Sequence, residues 1–223
     1  LTLTKSQKEA RKASFVASLN GMRVAFRDGD IAGLRKAYAD GRKRNPFLKG
    51  TLWLIERFYP VSGMLEMAEY IDREISSSGL GDASRKTLER IRIDWEFQLP
   101  EGSDEIIRSA PVIFYGNHPS MLTPFLIAAG VDRPDFRILM MSYVGHLIPS
   151  LSRLILPLEL PLNRHLTELL RGGLKHLLAL WLVSRLHSVP QRALAKAINR
   201  RSLEAAVNRL CQRPLRDLSL IHI

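Results

Sequence analysis

The sequence predicts an α/β fold: a largely parallel sheet flanked by helices and preceded by an N-terminal helical region. Three observations carry this. Pro111–Tyr115 (PVIFY), Phe136–Met141 and Leu158–Leu162 are short apolar runs, which read as buried strands when polar turns bound them. Helical patterns fill the intervals, over 124–129 and about 143–155. Strands that alternate with helices through short links are joined most simply in parallel.

The front of the chain reads as helices. Residues 5–27 form a basic helical pattern ended by Asp28-Gly29-Asp30. A second helix runs to Ala39, closed by Asp40-Gly41 and the basic run Arg42-Lys43-Arg44. Residues 47–76 are helical in pattern, broken at Pro60, and Ser76-Ser77-Ser78-Gly79 reads as a loop before an amphipathic stretch over Asp82–Trp95. The spacing places a boundary near Pro100–Ser103, giving a basic helical region over 1–102 and an α/β domain over 103–216.

Residues 217–223 stand apart. Leu218-Ser219-Leu220-Ile221-His222-Ile223 is the translation of CTG TCT CTT ATA CAC ATC, a string that matches a transposon-end adapter used to build sequencing libraries. The expectation is that the native sequence stops near Arg216 and that this tail is outside the fold. Unamplified native DNA carrying the same codons would overturn it.

Bulk composition narrows the function. A chain of 223 residues buries enough surface to hold a core without staples, and its single cysteine, Cys211, excludes an internal disulfide framework and a cysteine-based metal cluster. The net charge is +11, and residues 1–50 hold twelve Lys and Arg against four acids. Such a front attracts anionic lipid, nucleic acid or a phosphorylated small molecule. No recognised nucleic-acid motif accompanies it and few aromatics interleave with it, so nucleic acid is not the expected partner. No secretory signal and no run of roughly 18 uncharged apolar residues appear, which points to a cytoplasmic protein that meets a membrane from one side. His165, His176 and His187 recur every eleven residues, about 16 Å along a helix, too far apart for one metal ion; no metal site is expected.

The most informative stretch is Pro111–Ala128, PVIFYGNHPSMLTPFLIA. A strand ends at Gly116, Asn117-His118-Pro119-Ser120 follow, and a helix starts at Thr123-Pro124, with Thr as the expected N-cap and Pro at the first helical position. His118 therefore sits on a turn at the carboxyl end of a strand, the edge where open α/β sheets bind ligands. A helix start there also offers free N–H groups to an anion.

This stretch resembles the first block of the phospholipid and glycerol acyltransferase superfamily, N-H-x-S-x-x-D-P-F in its commoner form, through Asn117, His118, Ser120, Pro124 and Phe125. The resemblance implies an acyltransferase of the lysophosphatidate type. By that resemblance His118 would be the general base that deprotonates a glycerol hydroxyl, which then attacks the thioester of acyl-CoA or acyl carrier protein. No further cofactor is implied. Asn117 and Ser120 would help bind substrate.

The family aspartate, five residues after the histidine, is replaced by Thr123, whose hydroxyl can orient an imidazole but supplies no negative charge. A relative that binds acyl donor or anionic membrane without turnover is the alternative that this departure leaves. Leu158–Arg164 (LELPLNR) is similar to the second block, where Arg164 would hold the acceptor's phosphate; Arg200-Arg201 could fill the same role. The third block, F-P-E-G-T-R or a variant, is absent. The implied partners are an acyl thioester, a lipid or glycerol-phosphate acceptor and an anionic membrane surface, with peripheral membrane localisation.

Overall fold

A computed structural model describes residues 4–44, 46–115, 122–159, 173–187, 190–212 and 219–222. The described residues are mostly helical, with a small sheet of four short strands. The α/β expectation thus holds only coarsely, because each strand is four or five residues long and helices carry most of the buried surface. The chain divides into two compact units, one of residues 1–69 with 162–189, the other of 70–161 with 190–223.

The first unit is helical. α1 (Lys5–Arg27) starts at a reciprocal cap in which Thr4 accepts from the backbone N–H of Gln7 and the Gln7 side chain accepts from that of Thr4. α2 (Ile31–Arg44) begins where the Asp30 carboxylate accepts from the Gly33 N–H, 2.8 Å away. It does not stop at Asp40-Gly41. Gly41 is buried, and a Cβ there would lie 2.9 Å from Leu48 and 3.7 Å from Met22, so this glycine admits neighbours rather than ending a helix.

α3 (Pro46–Phe58) buries Leu48, Leu52 and Ile55 along one stripe, at the spacing one helix face requires. Tyr38 of α2 donates to the Glu56 carboxylate at 2.8 Å, and the same carboxylate accepts from the N–H of Ser62, at the start of α4 (Val61–Arg90). Burial and Glu56 together push the Tyr38 phenol up, so it stays a donor throughout the physiological range. α8 (Gly173–Leu186) completes the unit beside α1 and α3, burying Leu182, while His187 meets Phe26 edge-on at 6.2 Å.

The second unit takes α4 from residue 70 onward. The expected loop at Ser76–Gly79 is reduced to one residue. Gly79, at φ 81°, leaves helical geometry and the helix resumes at once. α5 (Ser103–Ser109) leads into β1 (Val112–Tyr115), α6 (Thr123–Val131), β2 (Arg137–Met141), α7 (Ser142–Leu147), a 3-10 turn over Pro149–Arg153, β3 (Ile155–Leu158), α9 (Arg192–Gln212) and β4 (Ser219–His222).

The strand order is β1-β4-β2-β3. β2 and β3 run parallel, with Leu139 opposite Leu156, and β4 is parallel to both β1 and β2. The third strand starts three residues before the predicted run, because its partner is β2 and its edge position tolerates Pro157. α9 covers this edge: Leu139, Leu156 and Ala206 form a buried cluster, and Ser202 donates to the Pro157 carbonyl at 2.6 Å. Residues 219–222, expected outside the fold, lie in the slot between β1 and β2, where an extended segment pairs with both free edges.

Arg133 is the main polar tie of this unit. Its guanidinium is nearly inaccessible. It meets the Asp135 carboxylate through two bonds of 2.9 and 2.7 Å and donates to the carbonyls of Ile107 and Ala110, fixing the chain that enters β1. Removing one partner of a buried ion pair leaves the other uncompensated, at a cost of about 3–5 kcal/mol. Arg133→Met is expected to lose stability of that order in urea unfolding. Adding Asp135→Asn should recover part of it, and two equally stable proteins would refute the assignment.

Candidate active site

The site predicted around His118 is framed by β1 and α6. β1 is a short extended run that ends at Tyr115, and the chain re-enters the described residues at Leu122. α6 then starts at Thr123, with the N–H groups of Phe125 and Leu126 both donating to the Leu122 carbonyl at 2.9 and 3.0 Å. The N-cap is Leu122, not Thr123, and no described side chain caps this end. Thr123 is the first helical residue and half-buried, while Pro124 and Phe125 are buried and anchor the helix. Asn117, His118, Ser120 and Arg164 lie outside the described residues.

Because β1, β2 and β3 point the same way, their carboxyl ends share one edge. β1 leads to Gly116-Asn117-His118, β2 leads directly to Ser142, and β3 to Glu159. The Ser142 hydroxyl is buried with no hydrogen-bond partner among the described residues, a condition that costs about 1–3 kcal/mol and calls for a reason. Beside it, burial pushes the Tyr143 phenol above its ordinary value. Glu159 is buried, and its backbone is gripped by the Asn199 side-chain amide, which accepts from the Glu159 N–H at 2.6 Å and donates to its carbonyl at 2.9 Å. That amide serves the strand end as a further strand would.

Sequence reasoning gave Ser142, Tyr143 and Asn199 no role. A hydroxyl immediately after a strand was a readable signal for Ser142; nothing local marked Asn199.

The acids nearest to Thr123 in sequence are engaged elsewhere. Asp132 closes α6 in a left-handed conformation, and Arg85 holds it at 3.2 Å while also donating to the Ala129 carbonyl and to Asp82. Asp135 is bound to Arg133. Glu159 follows β3, three strand spacings or about 14 Å from the axis of β1. Arg200 and Arg201, offered by the sequence as phosphate contacts, fall within α9. Arg200 is exposed and paired with Glu204 at 2.7 Å.

Among the described residues, no group of three or more His, Cys, Asp and Glu is placed to hold a metal ion. Nor is any described helix long and apolar enough to cross a membrane. No known protein family, characterised relative or solved structure matches the chain.

Proposed function

We propose that the protein transfers an acyl group from acyl-CoA or acyl carrier protein to a hydroxyl of a glycerol-phosphate or lysophospholipid acceptor. The observation that carries the reading is the connection from β1 through G-N-H-P-S-M-L to α6, with Pro124 and Phe125 buried at the helix start. A turn that leaves the carboxyl end of a parallel strand and enters a helix can present an imidazole to a bound hydroxyl and backbone N–H groups to an anion.

In the reaction, His118 takes the proton of the acceptor hydroxyl as its oxygen attacks the thioester carbonyl. The C–S bond then breaks, and the thiolate leaves as the thiol after taking up that proton. Thr123, at the head of α6, stands where a carboxylate would orient the ring and balance its charge. Arg164 is assigned to the acceptor phosphate, the role bidentate guanidinium geometry suits. The test is release of free thiol from a long-chain acyl-CoA by the full-length protein, with and without lysophosphatidate or glycerol 3-phosphate. Thiol release that requires the acceptor supports the reading; none with either donor class, coenzyme A or carrier protein, removes it.

One observation favours a second reading. With Thr123 neutral, and Asp132 and Asp135 both bound to arginines, no described acid of this helix or the loop after it is free to replace the missing aspartate. A protein that binds the acyl donor without turning it over fits that arrangement.

A further inference from the structure

α3 sorts its side chains unusually. Leu48, Leu52 and Ile55 are buried on one stripe, yet Trp53 is 60% exposed. Residues four apart share a helix face, so Lys49 and Arg57, both exposed, flank Trp53 on the outward row. Neither cation has an acidic partner among the described residues. The helix's only acid, Glu56, is turned to Tyr38 and the Ser62 N–H, so its charge does not offset the row. Near the end of α3, Phe58 is 40% exposed and Met64, early in α4, 45%.

An indole that is 60% exposed, beside two cations with no acidic partner among the described residues, contributes little to the stability of the fold. An amphipathic indole with cations beside it does match the headgroup region of a bilayer, where tryptophan settles and Lys or Arg meet anionic lipid. Exposed Phe58 and Met64 supply further apolar surface in this unit. A strand of nucleic acid would use the aromatic ring and the cations but has no use for an aliphatic methionine.

We propose that the row Lys49–Trp53–Arg57 seats this unit on the surface of an anionic lipid bilayer. The contact involves binding alone and does not depend on acyl transfer.

The test uses the full chain with Trp95→Phe and Trp181→Phe, which leaves Trp53 as its only tryptophan. Vesicles of phosphatidylcholine mixed with phosphatidylglycerol should shift its emission to the blue, brominated lipid should quench it, and vesicles of phosphatidylcholine alone should do far less. Lys49→Gln with Arg57→Gln should weaken partitioning about 30-fold. These side chains are exposed, so thermal unfolding should stay at the parent temperature.

Three results would overturn the proposal. One is emission that vesicles leave unchanged. Another is partitioning unaffected by the double substitution but lost when Lys5, Lys8 and Lys12 of α1 are neutralised. The third is Trp53 emission that responds to a single-stranded oligonucleotide and not to lipid.

Discussion

His118→Ala is expected to lower acceptor-dependent thioester consumption by about 10³-fold. A positioned general base contributes about 10²–10⁴-fold, and the described acid at the shared strand edge, Glu159, lies about 14 Å from the axis of β1. Tyr143 holds its proton more firmly than an ordinary phenol because it is buried, and Ser142 is a hydroxyl without a base of its own among the described residues. The fold should survive, since buried Pro124 and Phe125 anchor the helix that follows the turn. Circular dichroism and the urea midpoint, compared with the parent, check that. Full activity in a folded variant would end the His118 mechanism. A loss of acceptor-dependent release, with the slow hydrolysis of the thioester in water left as before, is the signature of a lost base.

What could be read from the sequence follows from where each signal lies. β1, β2 and α6 were legible because their cues are local: short apolar runs bounded by turns, and a proline one residue into a helix. Gly41 misled because a glycine after an aspartate looks the same whether it ends a helix or admits a neighbour. The difference lies in Leu48 of α3 and Met22 of α1, each on another helix. β3 was offset for a related reason. The stretch Ile155–Leu162 is apolar apart from Glu159, and the paired segment is chosen by Leu139 of β2 and by Ser202 and Asn199 of α9, which bond to Pro157 and Glu159 from 45 and 40 residues away.

The candidate site divides in the same way. The strand-to-helix frame around His118 was visible in the eighteen consecutive letters of Pro111–Ala128, a span typical of a local motif. The other contributors to that edge come from separate strands. The engagement of Asp132 and Asp135 depends on Arg85, which is remote in sequence, and on Arg133, which is near but whose burial no local pattern revealed. Sequence therefore offered a position for a base. Only the packing showed that its nearby acids are already committed.

That commitment makes Thr123→Asp the most informative gain-of-function substitution. In a catalytic triad, exchanging the orienting carboxylate for a neutral amide lowers turnover by about 10⁴-fold, so restoring the charge should raise activity by up to about that factor if it is the only missing part. The position accepts an aspartate on structural grounds. Residue 123 is the first of α6, half-buried, and its side chain caps nothing. A carboxylate in the first turn of a helix is favoured by the helix dipole, typically by about 0.3–1 kcal/mol. The variant should therefore unfold at or slightly above the parent's urea midpoint.

Thr123→Val separates charge from hydrogen bonding, because it keeps the branched shape and removes the hydroxyl. A rise with Asp, a fall with Val and silence when His118→Ala is added to Thr123→Asp would place the residue beside the base and give the protein a weakened enzyme's chemistry. A folded Thr123→Asp protein that still binds acyl-CoA but releases no thiol would instead favour the donor-binding reading, since the charge would then not be what the site lacks.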